Sequence, residues 1–128
     1  MPKRILVVDD DKEVQEIITF VLRCNGFDVL NAYNGLQMQE QLKFHLACPL
    51  DLIILDVMMP GEDGYRICRA LRENPRTSCI PVMIITAHAE DIYERISIDV
   101  GAVLHMTKPF HPLELAEKVK ALLNRDCR

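Results

Sequence analysis

Four apolar runs in this chain end in residues that can do chemistry. Asp9 and Asp10 follow the first run, Asp56 closes the second, Thr86 closes the third and Lys108 follows the fourth. Three carboxylates gathered at one place repel one another unless a cation intervenes. A hard divalent ion held by oxygen answers that need, and Mg²⁺ fits because it takes one or two carboxylates and keeps waters that a phosphate can replace. Lys108 adds a fixed positive charge and Thr86 a hydroxyl donor. Cation, ammonium and hydroxyl together can surround three phosphoryl oxygens. Asp56 is then the carboxylate left to act as nucleophile. Taken singly, each residue has a plain reading: Asp56 a solvated strand end, Asp9 and Asp10 a loop, Thr86 another strand end, Lys108 a surface charge. Their shared address makes the chemical reading the stronger one.

That address is set by the elements. The stretch 51–64, DLIILDVMMPGEDG, opens with the unbroken apolar run Leu52-Ile53-Ile54-Leu55, stops at Asp56, and continues into a loop with Pro60, Gly61 and Gly64. An apolar run of strand length closed by turn residues predicts a strand buried on both faces of a parallel sheet. Ligands bind beyond the carboxyl ends of such strands. Residues 4–8, RILVV, predict a first strand before Asp9-Asp10-Asp11. Helical spacing then places Val14, Ile17, Ile18, Val21 and Leu22 on one face over residues 12–24, with Asp11 as N-cap and Asn25-Gly26 as the stop. A second strand is expected over 27–31. A helix follows from Asn34-Gly35 through Leu36, Met38, Leu42 and Leu46 to Pro49. A helix over 64–73 turns Tyr65, Ile67, Cys68 and Leu71 inward. Residues 80–86 predict a strand, with Pro81 near its start where a missing N–H is tolerated. A weaker helix spans 90–100 and a short strand 102–106. A last helix begins at Pro112 and carries Leu113, Leu115, Val119, Leu122 and Leu123. Strand and helix alternate five times, the pattern of βα units wound into a parallel α/β sheet with helices on both faces. All the chemical residues then lie on one edge.

The 128 residues favour one domain, with no linker or repeat. The hydrophobic fraction of 49% with 27% charged residues suits a soluble globular chain. A net charge of −4 without a basic run argues against direct nucleic-acid binding. No leader and no apolar stretch of membrane-span length is visible, which predicts a cytoplasmic location. Cys24, Cys48, Cys68, Cys79 and Cys127 are odd in number and scattered, and are read as reduced, buried thiols. His45 near Cys48 lacks the second pair that a zinc site needs.

VVDDD at 7–11, LDVMMPGEDG at 55–64, ITA at 85–87 and KPF at 108–110 resemble the response-regulator receiver domains of two-component signalling. The resemblance spans nearly the whole chain in order and spacing. It implies a single receiver domain over 1–128 with the flavodoxin-like, doubly wound (βα)5 fold and strand order 2-1-3-4-5. By that resemblance Asp56 is the phosphoacceptor, charged by a sensor histidine kinase or phosphotransfer protein. Asp9, Asp10, Asp56 and the Met58 backbone carbonyl hold Mg²⁺. Thr86 is the switch hydroxyl, Ala87 the small residue beside it, and Lys108 the partner of a phosphoryl oxygen, with a cis bond before Pro109. The chain is then no metabolic enzyme, assisting only its own phosphorylation and dephosphorylation. It acts on an output domain or a separate target, alone or as part of a longer regulator.

Some positions depart from the family pattern. Three residues before the lysine, where Tyr or Phe is usual, stands His105. It is read either as a strand histidine or as a smaller switch that moves in and out above Thr86. Met58 and His88, two residues after the phosphoacceptor and the switch hydroxyl, flank the path of the water that attacks an acyl phosphate. Met58 cannot orient that water, which predicts slow self-dephosphorylation. Val103-Leu104 replaces a commonly polar pair. It either packs in the core or widens a face used for phosphorylation-dependent dimers. Two rivals share the fold. A haloacid dehalogenase-like phosphatase usually carries a carboxylate where Met58 stands. A nucleotide or flavin binder needs a Gly-rich cradle where this chain has three aspartates. A pseudo-receiver would lack one of Asp56, the acidic pair or Lys108.

Overall fold

The computed structural model describes residues 2–44 and 50–124. Strands β1 (Arg4–Val8), β2 (Asp28–Ala32), β3 (Leu52–Asp56), β4 (Val82–Thr86) and β5 (Leu104–Thr107) alternate with helices α1 (Lys12–Cys24), α2 (Gly35–Phe44), α3 (Gly64–Glu73), α4 (Asp91–Asp99) and α5 (Pro112–Asn124). Every strand pair is parallel and the order is β2-β1-β3-β4-β5. This is the expected flavodoxin-like arrangement. The order reverses direction at β1 and β3, so the loops after these two strands diverge and leave a crevice between them. Asp9, Asp10 and Asp56 stand at that crevice.

The sheet is buried on both faces. Ile5, Val7, Leu52, Ile54, Met83 and Ile85 meet α1 and α5, through Ile18, Leu22, Leu115 and Val119 among others. Leu6, Val8, Ile53, Leu55, Val82 and Ile84 meet α2 and α3, through Met38, Leu42, Cys68 and Leu71. Leu52, Ile53, Ile54 and Leu55 are wholly buried. Each is worth about 1.5–3 kcal/mol of burial, so the strand ending in Asp56 is firmly anchored.

Local signals set the helix ends. The Asp11 carboxylate accepts the N–H groups of Glu13 and Val14, and Asp63 does the same for Tyr65 and Arg66. Gly26, at φ +87°, closes α1. Gly64 lets α3 approach β3, because a Cβ there would overlap the backbone of Val57.

Three apolar residues of the expected helical patterns face solvent. Ile17, Leu36 and Leu113 are exposed at 42%, 72% and 61%. At about 100° per residue, the buried face of α1 centres on Ile18 and extends to Gln15, which leaves Ile17 at its margin. Leu36 and Leu113 are second residues of their helices, in a first turn that presents them outward. Cys24 and Cys79 are exposed free thiols rather than buried ones, and only Cys68 of the described cysteines is buried. Leu46, Pro49, His45, Cys48 and Cys127 lie outside the described residues. β2, β4 and β5 begin one or two residues later than expected. The Val103-Leu104 pair divides: Val103 is 44% exposed, while Leu104 packs against the α1–α5 core.

Candidate functional site

The register of the sheet brings the strand ends together. Asp9 extends β1, and its N–H donates to the Ala32 carbonyl at 3.1 Å. Its Oδ1 accepts the Asp11 N–H at 2.8 Å. Asp56 is the last residue of β3, and its Oδ1 accepts the Met58 N–H at 3.0 Å. Lys108 follows β5, after which the Lys108–Pro109 bond is cis. Its N–H donates to the Thr86 carbonyl at 2.7 Å. Its ammonium reaches Asp9 Oδ2 at 3.0 Å and Asp56 Oδ2 at 3.3 Å. One lysine thus bridges the ends of β1 and β3.

Charge remains uncompensated. Asp9, Asp10 and Asp56 each present an oxygen within 4.8 Å of the others, Asp9 and Asp56 buried and Asp10 exposed. Burial pushes the Asp9 carboxyl up to about 6; the Asp11 N–H and Lys108 pull it back, and Asp56 raises it further. Burial disfavours the Lys108 charge, but Asp9 and Asp56 outweigh it and raise its pKa. Among the described residues Lys108 supplies the one positive charge paired with these carboxylates. The remaining deficit, the oxygen-only donors and the exposed Asp10 on the open side fit a hard divalent cation such as Mg²⁺.

Thr86 is fully buried at the end of β4, beside this cluster in the sheet order. Its hydroxyl accepts the His88 N–H at 3.1 Å. The His88 ring stacks on Tyr93 of α4, with centroids 4.0 Å apart and planes 11° from parallel. His88 is therefore engaged by α4, whereas the Met58 side chain is half exposed. His105 lies half-buried on β5, its Nδ1 2.8 Å from the Ser97 hydroxyl. Burial lowers the His105 pKa, partly opposed by Glu94, which favours the neutral ring.

Three contributors were not anticipated. Gln15, buried on α1, donates through Nε2 to the carbonyls of Val7, Asp9 and Ala32 and accepts from Asn31. It pins the backbone that carries Asp9. Ser97 and the Tyr65 hydroxyl are buried near Thr86 and His105. A polar residue at a core position of α1 was the available signal for Gln15. For Ser97 and Tyr65 there was none, because a serine in a weak helix and an inward tyrosine look ordinary.

Residues 5–120 match the family model described as the response regulator receiver domain. The chain is 38% identical over 123 residues to the transcriptional regulatory protein GltR of Pseudomonas aeruginosa, covering 96% of this chain and 50% of that protein. It is 38% identical over 125 residues to the alkaline phosphatase synthesis transcriptional regulatory protein PhoP of Bacillus subtilis, covering 98% and 50%. The chain thus spans about half the length of the curated relatives it matches. Among solved structures, a putative response regulator from Chloroflexus aurantiacus superposes with a TM-score of 0.84 at 36% identity, over 96% of this chain and 98% of that one. The response regulator DrrB of Thermotoga maritima, an OmpR/PhoB homologue, gives 0.85 at 29% identity, over 98% and 54%.

Proposed function

The chain belongs to the response-regulator receiver family of two-component signalling, and from that premise we propose that it is a switch operated by phosphorylation of Asp56. The observation that carries the proposal is the single lysine held between Asp9 and Asp56, at the end of a strand buried on both sides. Phosphoryl transfer needs little beyond positioning and charge neutralisation. β3 presents the Asp56 carboxylate as nucleophile toward the phosphohistidine of a sensor histidine kinase or phosphotransfer protein. Asp9, Asp10, Asp56 and the Met58 carbonyl would hold Mg²⁺, which neutralises charge on the transferred group. Lys108 and the Thr86 hydroxyl take the other phosphoryl oxygens. Asp9 and Asp56 already attract Lys108, so its ammonium is placed before the donor arrives.

The signal then leaves through populations. A phosphoryl group adds negative charge and acceptors that Thr86 and Lys108 engage only in that state. The face of α4, β5 and α5 reports the change to an output domain or separate target. Ile92, Ile98 and Val103 are exposed on these elements and the loop between them, which supports a phosphorylation-dependent homodimer. The named relatives are transcriptional regulators, so control of transcription is the output we assign. Among the described residues no helix is long and apolar enough to cross a membrane, and we place the protein in the cytoplasm. It assists its own phosphorylation and dephosphorylation and turns over no external substrate. Met58 stands where a phosphatase of similar site would carry its second carboxylate.

Incubation with Mg²⁺ and acetyl phosphate, followed by intact mass, tests this reading. Wild type is expected to gain one phosphoryl group and Asp56→Ala none. An unmodified wild type would overturn it. Size-exclusion of the same samples is expected to show a larger species only after phosphorylation.

A further inference from the structure

The loop after β3 carries a further carboxylate, Glu62. It does not join the acidic cluster: among the described residues the carboxylates gathered at ligand distance are Asp9, Asp10 and Asp56. Glu62 Oε1 instead accepts the N–H of Gly35, the first residue of α2, at 2.8 Å across 27 positions of sequence. The first N–H groups of a helix have no partner within it, and their partial positive charge favours a carboxylate. Yet α2 does not need Glu62 in order to start. The Asn34 side chain accepts the Gln37 N–H at 2.8 Å, and the Gln37 side chain accepts the Tyr33 N–H at 2.8 Å. That reciprocal cap is made locally. The bond from Glu62 therefore ties one loop to another.

Both ends of the tie lead to the acidic cluster. On one side, the Glu62 N–H donates to the Met59 carbonyl at 3.2 Å, and Gly61 stands at φ +72°. With Pro60 before that glycine, this is a type II turn. Met59 is buried, and the Met58 N–H donates to Asp56 Oδ1. On the other side, α2 follows β2, whose Ala32 carbonyl accepts the Asp9 N–H. The sheet fixes Asp9 and Asp56 at strand ends. The Met58 carbonyl lies on the loop, outside the sheet, and depends on what holds the loop. Gly35 is matched to the contact, because a Cβ there would overlap Glu62 Oε1.

We propose that Glu62 is a positioning residue for the metal ion: by holding the turn after β3 against the start of α2, it fixes the Met58 carbonyl as a ligand alongside Asp9, Asp10 and Asp56. The proposal deepens, and rests on, the reading of that carbonyl as a Mg²⁺ ligand. Mg²⁺ demands near-ideal octahedral geometry, so a ligand left free to shift loses affinity. Glu62 acts through the turn and does not touch the ion.

Mg²⁺ titration followed by amide NMR, with no phosphodonor present, tests it. Wild type, Glu62→Ala, Glu62→Gln, Gly35→Ala and the double variant Glu62→Ala with Gly35→Ala are compared, and the same spectra report folding. Glu62→Ala removes the tie. Gly35→Ala keeps every charge, favours the helix and pushes the carboxylate aside. Each is expected to raise the Mg²⁺ Kd about five-fold, the worth of one hydrogen bond. The double variant should match the single ones, since both break the same contact. Glu62→Gln loses the charge but keeps an acceptor, and should stay within about two-fold of wild type. Exchange of the Gly35 amide in metal-free protein should quicken in Glu62→Ala. Uptake from acetyl phosphate should need about five-fold more Mg²⁺ in the two single alanine variants and reach the wild-type level at saturation. Wild-type Mg²⁺ affinity in Gly35→Ala, equal weakening in Glu62→Gln and Glu62→Ala, or multiplied losses in the double variant overturns the tie, whether or not Asp56 is phosphorylated. The expected shifts in Mg²⁺ affinity without phosphoryl uptake in wild type uphold the tie and overturn the phosphoacceptor reading.

Discussion

Two neighbouring regions at the carboxyl edge of the sheet are built on opposite principles. Around Asp9, Asp56 and Lys108, full charges meet at 3.0 and 3.3 Å with an excess of negative charge. Around Thr86, Tyr65, Ser97 and His105, neutral hydroxyls and an imidazole meet with one hydrogen bond missing. The first region stores an electrostatic deficit that a cation relieves. The second holds a buried phenol hydroxyl without a partner of good geometry among the described residues. Charge acts at a distance and tolerates small errors of placement, so it suits capture of a phosphoryl group. Hydrogen bonds fail over fractions of an ångström, so the second region depends on how closely its four elements pack.

The largest expected effect lies in the charged region. Lys108→Met leaves Asp9 and Asp56 without their shared cation. Metal-free protein at pH 7 should lose about 3 kcal/mol in urea unfolding, with Mg²⁺ restoring much of it. A loss below about 1 kcal/mol would mean that the lysine is not the counter-charge described.

Asp9→Asn should act in the opposite direction. The folded Asp9 carboxyl keeps its proton up to about 6, against 3.8 for the ordinary value. The stabilisation from its protonated form is therefore complete below about pH 3.8 and lost as pH rises through about 6. The full span is worth about 3 kcal/mol at order of magnitude. Metal-free wild type should gain stability on acidification from pH 7 to pH 5 relative to Asp9→Asn. The variant should be the more stable of the two at pH 7 and bind Mg²⁺ poorly. Identical pH slopes in chelator would contradict the assignment.

The neutral region should respond more weakly. Ser97→Ala removes two hydrogen bonds and should cost about 1 kcal/mol, independent of Mg²⁺. A Mg²⁺-dependent loss would merge the two regions into one. The smallest effect is kinetic. Met58→Asn places a polar group by the water path and should speed decay of the phosphorylated protein about five-fold, the worth of one hydrogen bond. A variant that decays no faster would remove Met58 from control of the lifetime.

The same contrast explains what could be read from the chain. Asp9, Asp10, Asp56, Thr86 and Lys108 were legible because parallel strands put all their carboxyl ends on one edge. Residue type and strand position sufficed, and the element order followed from alternating periodicity. Helix faces were legible to within about one residue step: Ile17 yielded to Gln15 because a buried amide satisfying three carbonyls competes with an apolar side chain. The cluster of Tyr65, Ser97 and His105 was not legible. Nothing local joins Tyr65 to Ser97 or Ser97 to His105, since they meet only when α3, α4 and β5 are packed.

The central claim is that Asp56 itself receives the phosphoryl group. Borohydride reduces an aspartyl phosphate to homoserine, so peptide mass mapping after treatment with Mg²⁺, acetyl phosphate and borohydride locates it directly. Homoserine is expected at position 56, and absent when Mg²⁺ is chelated or in Asp56→Asn. Homoserine at Asp9 or Asp10, or at no position in the Mg²⁺-loaded wild type, would contradict the account.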